Sequence, residues 1–439
     1  MDRCTVLSAT LLLSFLLSPS VWSDALTLQA RPSQSVLRAD VPQSIFIKIS
    51  LTGAKLESQD RAAVNIGLVL DKSTSMKNSF KLARAKQAAI TAIRRLGSQD
   101  TISIVAFNDS VELVQPATQL TETNEITHSI QQIRPSGKAA LFAGISKGAK
   151  EVRKFLSQNQ INRVILLSDG QASIGPRASS ELGALGDVLR KEGISITTIG
   201  LGGGYNEDLM QKLALQSGGN HAYAETADDL AKIFENEFSD VLSVVAREIL
   251  IQVRCLPGVR PVRVYGHNTV VNGNTVEVSM SHVYSKQEKY VIVELEIPPT
   301  ASGHELNLAH VSAQYTNVQT KLKETLSSSI KVQFSQSVDA INASINKDVM
   351  ISTVYYLCAR EYLRAIHFID KKNPTQVEQV LTDDANFIRA NAIRYQAKAL
   401  VKLANQVLAL ARSVQQNDQN RLRKKLRYDF HRLITQQRW

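Results

Sequence analysis

The sequence predicts an α/β protein: a doubly wound, mainly parallel sheet, extended by an antiparallel β-sandwich and a C-terminal helical region. Three observations carry this expectation. Between residues 62 and 245, short and continuously apolar runs ("AVNIGLVLD", "TISIVAF", "NRVILLSD", "ISITTIGLG") alternate with amphipathic helical patterns. Strands buried on both faces of a parallel sheet read this way. From 246 to 336, runs such as "ILIQVRCL", "VRPVRVYG", "KYVIVELEIP" and "SIKVQFS" are separated by Gly, Pro and Asn turns, the pattern of antiparallel strands packed as a sandwich. From Val338 onward apolar residues recur at helical spacing.

The elements follow in order. Residues 1–23 read as a secretory signal. Arg3 precedes an apolar stretch from Thr5 to Leu17, too short to span a bilayer, and Val21 and Ser23 supply small residues for cleavage near Ser23. The competing reading is a buried N-terminal helix or strand. Export predicts a secreted, periplasmic or cell-envelope protein. Cleavage would remove Cys4 and leave Cys255 and Cys358, which could pair in an oxidising compartment or remain free, buried thiols. No CxxC or HExxH is present, so no zinc site is legible. Residues 24–60 alternate with Pro and Gly breakers and are expected to give strands that join the sandwich.

Residues 62–245 hold the alternating unit. Its helices are "FKLARAKQAAITAIRRL", "ALFAGISKGAKEVRKFL", "ELGALGDVLRKEG" and "EDLMQKLALQSGG". "NHAYAE" is the expected last strand, and Thr226 caps the last helix. Residues 338–416 are helical, with Asn373-Pro374 ending one helix and starting another. Residues 417–439 form a basic amphipathic tail. Leu422, Leu426, Phe430 and Leu433 share one helical face, with Arg421, Arg423, Lys424 and Arg427 around it. That tail either packs with a solvated basic face or contacts an anionic lipid or cell-surface polymer.

The formal charge of the chain is +11. Residues 62–245 contain 19 Lys+Arg and 19 Asp+Glu, whereas Arg421 to Trp439 contain seven Lys/Arg and one Asp. The basic balance belongs to the tail, and composition gives no argument for a nucleic-acid partner.

The chemistry gathers in "GLVLDKSTSM". In a doubly wound sheet, ligands bind beyond the carboxyl ends of the strands. Asp71 ends one apolar strand and Asp169, in "VILLSDGQ", ends another; Ser73 and Ser75 follow Asp71 in a tight loop. Two carboxylates and two hydroxyls converging there are a donor set for a hard cation, Mg²⁺ or Mn²⁺. The alternative is that Ser73 and Ser75 only cap a helix beginning near Phe80. "IGLGGG" lacks the register of a dinucleotide fingerprint and is read as a turn. No GxSxG nucleophile elbow is read, because the GxSxG match at Gly144–Gly148 lies inside a helical run rather than at a strand-to-helix turn, and Asn108 and Asn342 fit the glycosylation sequon.

Asp71-x-Ser73-x-Ser75-Met76, with the downstream "LLSDG", resembles the metal-ion-dependent adhesion site (MIDAS) of the von Willebrand factor A (VWA) domain. The resemblance runs from about Val64 to Val245 and includes "GLGGGYNEDLMQKLALQSGGNHAYAE", similar to the closing strand-helix-strand of secreted and cell-envelope VWA proteins. It implies an adhesion or binding module in which an acidic residue of a protein partner completes the shell of a bound Mg²⁺. One position departs from the pattern. Where such domains supply a threonine, "PSGKAALFAGI" places Ala139. Ser136 could compensate, and Lys138 could either compensate or compete with the cation. Two further functions are set against recognition: a metal-dependent hydrolase using Asp71 and Asp169, and a scaffold for an envelope complex. Against hydrolysis, His128 and His221 read as structural histidines, leaving no general base.

Overall fold

The computed structural model describes residues 25–56, 61–157, 160–169, 172–266, 268–416 and 418–437. The expected signal segment lies outside the described residues. Among those described, no helix is long and apolar enough to cross a membrane.

Three N-terminal strands open the chain: β1 (Leu26–Pro32), β2 (Val36–Arg38) and β3 (Gln43–Gly53). The alternating unit then follows as β4 (Ala63–Asp71), α1 (Lys81–Ile93), β5 (Thr101–Phe107), β6 (Val111–Gln119), α2 (Asn124–Gln132), α3 (Leu141–Arg153), β7 (Gln160–Ser168), α4 (Ser179–Lys191), β8 (Ile194–Leu201), α5 (Glu207–Ser217), β9 (His221–Ala224) and α6 (Ala227–Val241). Its sheet has the order β6-β5-β4-β7-β8-β9. All neighbours run parallel except the β5–β6 edge pair. One apolar cluster packs α1 and α6 on one face, and a second packs α3, α4 and α5 on the other. Burial on both faces explains the unbroken apolar runs in β4, β7 and β8. The sequence reading did not foresee β6. It is a half-exposed edge strand containing Pro116, so it lacks both the apolar run and the donor regularity of a central strand.

The second body is a sandwich. It adds β10 (Val244–Cys255), β11 (Arg260–Tyr265), β12 (Thr269–Asn272), β13 (Thr275–Tyr284), β14 (Glu288–Ile297), β15 (Glu305–Asn317) and β16 (Lys323–Ser335). A four-stranded sheet, β1-β3-β14-β11, faces a six-stranded one, β12-β13-β10-β15-β16-β2. Both inner faces contribute to one apolar core that includes Ile47, Ile49, Val253, Val278, Val293 and Val311. The N-terminal strands therefore complete a core whose other strands arrive about 200 residues later, a long-range closure that slows folding.

The helical region comprises α7 (Val338–Ala343), α8 (Lys347–Asp370), α9 (Pro374–Tyr395), α10 (Lys398–Ser413) and α11 (Gln419–Thr435). Asn373 caps α9 through its side chain, and Pro374 occupies the first turn. Buried Lys48 ties this region to the sandwich through Glu288 (2.9 Å) and Asp348 (2.9 Å). Cys255 and Cys358 are both free, the first in the sandwich core and the second in the helical core.

The tail packs as a helix, as one alternative of the sequence reading expected, but much of its basic face is paired rather than solvated. Leu422 and Leu426 are buried in the helical core as expected, but Arg423, Lys424 and Arg427 of the basic face are largely covered by ion pairs, whereas Arg421 and Lys425 stay exposed. Arg423 donates to Asp370 (2.7 Å), Glu207 (2.6 Å) and Asp208 (2.6 Å). Lys424 pairs with Glu207 (2.7 Å), Arg427 with Asp208 (2.6 Å) and Arg421 with Glu225 (2.7 Å). The acids sit mainly on the first turn of α5, where negative charge is also favoured by the helix dipole. The partners of the basic face are some 200 residues upstream, so local charge counting could not reveal them.

A buried network fastens the alternating unit to the sandwich. Arg163 of β7 and Glu237 of α6, both fully buried, meet at 2.6 Å. Arg163 also donates to Tyr284 Oη of β13 (3.3 Å), and Asn220 donates to Glu237 (2.8 Å). Removing one member leaves an uncompensated charge. We expect Glu237→Ala to cost about 3–5 kcal/mol in urea unfolding. Arg163→Met combined with Glu237→Leu should cost much less than the sum of the single losses.

Candidate functional site

The strand order decides where the two aspartates meet. From β4 the chain passes to β5 on one side, and β7 lies on the other. The β4–β7 boundary is therefore the topological switch point, where a crevice opens at the carboxyl edge. Asp71 is the last residue of β4 and Asp169 follows the last residue of β7. Both are buried.

Each carboxylate is held by short hydrogen bonds. Asp71 accepts from the Ser73 backbone N–H (2.8 Å) and from Ser168 Oγ (2.5 Å). Ser75 Oγ donates to Asp169 (2.7 Å), and the Ser73 and Ser75 hydroxyls lie 3.1 Å apart. After Ser73 the chain enters a 3-10 turn over Thr74–Phe80, pinned by the buried Met76. Ser73 stands at the N-cap of that turn without a side-chain capping bond. Its hydroxyl faces Ser75 instead, so the serines are not there simply as caps. Burial raises the Asp71 carboxyl above its usual range, and the charge of Asp169 adds to this; hydrogen bonds from Ser168 and Ser73 oppose it.

The remaining expected residues fall elsewhere. Ala139 is buried at the start of α3, its N–H donating to Ser173 Oγ (2.9 Å). Ser136 accepts from the Asn108 side-chain amide (2.9 Å). Lys138 is exposed, and its backbone N–H donates to Asp109. Among the described residues neither side chain hydrogen-bonds to or forms an ion pair with Asp71 or Asp169. The ammonium at the site comes from Lys81, the first residue of α1, whose Nζ forms an ion pair with Asp169. Sequence reasoning missed it because the pairing spans 88 positions. The turn read from "IGLGGG" leaves room for it. Gly202 has φ +70°, and a Cβ there would lie 3.2 Å from Lys81 Cε. His128 is exposed on α2. His221 is buried with Nδ1 2.8 Å from Thr198 Oγ1, and burial drops its pKa to about 3. It is neutral and structural.

Among the described residues no cluster of three or more His, Cys, Asp or Glu could hold a metal ion. The four oxygen-bearing residues are of the right chemical type for a hard cation. Their arrangement does not fit one. Asp169 is engaged by an ammonium, and Ala139 presents a methyl group where a third hydroxyl is needed.

A family model for the von Willebrand factor type A domain matches residues 65–236. The Escherichia coli protein YfbK is 24% identical over 216 residues, covering 49% of this chain and 38% of that relative. The chain thus spans well under half the length of that protein. A von Willebrand factor type A protein from Catenulispora acidiphila superposes with a TM-score of 0.69 at 14% identity, covering 88% of this chain and 89% of that one. The ArnB paralog VWA2 from Sulfolobus acidocaldarius gives 0.61 at 17% identity, covering 93% and 97%. At these identities the structures share the fold, and they share nearly all of it.

The raised Asp71 pKa makes a stability prediction. A carboxyl that holds its proton more tightly in the fold is a cost when ionised. Asp71→Asn, which keeps the shape and one of the two acceptor oxygens but removes the buried charge, should lose less stability at pH 7 than Asp71→Ala, the charge removed offsetting part of the lost hydrogen bond. That offset should shrink as pH falls and vanish below about pH 4, where the acid is protonated in both states. Melts from pH 4 to 8 check it.

Proposed function

Residues 65–236 are a von Willebrand factor type A domain, and from that premise we propose that this chain is an extracytoplasmic protein-recognition module that binds its partner at the carboxyl edge of the central sheet. VWA domains commonly serve in protein–protein interaction and adhesion. The observation that carries the proposal is the rim around the aspartate pair. Lys77, on the segment after β4, Lys138, on the loop before α3, and Arg177, on the loop after β7, are exposed, and no ion pair engages them among the described residues. The loops that bear them are held together: Thr74 N–H donates to Gly137 O (3.0 Å), Ser136 N–H to Lys72 O (2.8 Å) and Ser173 N–H to Ala139 O (3.0 Å). Loops carried on a rigid sheet edge are the usual place for recognition. Exposed cations on such loops favour an acidic patch on the partner and speed its approach, with Asp109, which accepts from the Lys138 backbone N–H, as the acid on the same rim.

The acidic partner residue suggested by the resemblance is retained in this reading. Its receptor is the cationic rim rather than a metal shell. Neither histidine considered as a base is placed for proton transfer, so we favour binding over hydrolysis. The sandwich and helices act as the frame, and assembly into a larger envelope complex differs only in the identity of the partner.

The test is affinity capture from the envelope or secreted fraction, followed by binding to the purified partner. Lys77→Glu combined with Lys138→Glu should weaken binding by about tenfold or more and flatten its salt dependence, without changing the melting temperature. Unchanged affinity would place recognition on another face. For the location, mass spectrometry of the native protein should find an N-terminus near Asp24; an intact Met1 in a cytosolic fraction would refute export.

A further inference from the structure

We propose that Lys81 is a tethered cation that takes the place of a divalent ion in the Asp71–Asp169 site, so that the site is metal-independent as built. The inference rests on the reading above only for the site's location at the recognition edge. Three observations carry it independently of any partner.

The first is charge. Two carboxylates are buried at adjacent strand ends, and an ion pair from Lys81 is the cationic contact to them among the described residues. Buried like charges repel strongly unless a cation lies between or beside them. The Lys81 ammonium provides that compensation at Asp169, while Ser168 and the Ser73 N–H serve Asp71.

The second is the missing hydroxyl. Without an oxygen at Ala139, a small cation would have Ser73 and Ser75 as its neutral side-chain ligands from the first loop and nothing from the α3 loop. Mg²⁺ demands near-octahedral geometry and gives up water reluctantly. An ammonium needs only two or three acceptors and no fixed polyhedron.

The third is that Lys81 has no better place to go. It also lines a cleft of about 520 Å³ with Arg84, Gly202, Glu225, Asp418 and Arg421. The acids of that cleft are already engaged: Glu225 pairs with Arg421 (2.7 Å), and Asp418 accepts from the Arg421 backbone N–H at the start of α11 (2.9 Å). Arg84 and Arg421 would repel an ammonium turned toward them. Asp169 is therefore the carboxylate that holds Lys81.

Recognition at this edge would then proceed without exchange of a metal ligand. Partner binding would survive chelation, and an incoming carboxylate would meet the exposed rim cations.

The test is calorimetric titration of Mn²⁺ and Mg²⁺ into the full chain and the variants Lys81→Gln, Lys81→Arg and Lys81→Gln combined with Ala139→Thr, with melts in EDTA and in Mn²⁺. The parent and Lys81→Arg should show no saturable binding at millimolar metal. Lys81→Gln should lose thermal stability in EDTA and regain it in Mn²⁺. Adding Ala139→Thr should tighten Mn²⁺ by about tenfold or more. Saturable binding to the parent that is lost in Asp71→Asn would overturn the proposal, as would folded glutamine variants that bind metal no better than the parent. Should Lys81→Gln fail to fold, the parent titration decides by itself. Because the titration contains no partner, its failure leaves the protein-recognition reading standing.

Discussion

Strand β7 carries a buried charge at each end of its course, and each charge must be matched from inside the molecule. Near its start, Arg163 is fully buried and is answered by Glu237 and Tyr284. Just past its end, Asp169 is buried and is answered by Lys81 and Ser75. Removing an ion from water costs several kcal/mol even after relaxation, so these matches are conditions of folding rather than ornaments. Through them β7 dictates the placement of other parts. Glu237 fixes α6, Tyr284 fixes the sandwich against the central unit, and Lys81 fixes the first turn of α1 over the carboxyl edge.

The same constraint shapes what the carboxyl edge, proposed as the recognition edge, can offer. Asp71, Ser73 and Asp169 are buried and hydrogen-bonded, which leaves them as support for the loop rather than as contact groups. What solvent reaches is the ring of loops carrying Lys77, Lys138 and Arg177. The sparse, internally satisfied polar centre holds those loops in register, and the cations project from it. In the proposal that Lys81 stands in for a divalent ion, Ala139 and Lys81 belong to one account: a methyl group presents no oxygen and an ammonium pairs with Asp169.

Charge elsewhere follows the same rule of internal matching. The strongly basic α11 spends Arg421, Arg423, Lys424 and Arg427 on Glu225, Glu207, Asp208 and Asp370. Exposed ion pairs are each worth little. A fan of them converging on Glu207 and Asp208, partly buried and centred on one arginine, orients the last helix across the central unit while Leu422 and Leu426 hold it to the helical core.

The sequence by itself determined the fold class and the VWA resemblance, because both are written in local periodicity. Apolar runs in β4, β7 and β8 must be strands covered on both faces, and alternating runs in β13 and β14 must be faced by a core on one side. The end of an apolar run also located Asp71 and Asp169, since a strand that stops being buried stops at the edge. It did not disclose β6, whose half-exposed pattern and Pro116 carry no strong period. Nor could it choose among Ser136, Lys138 and Lys81, or find the partners of α11. Those answers depend on which strand ends are neighbours and which helix crosses them, and contacts across 88 or 216 positions leave no local trace. Periodicity reports the side of an element that faces the core, whereas the pairing of charges depends on distances that only the packed chain defines.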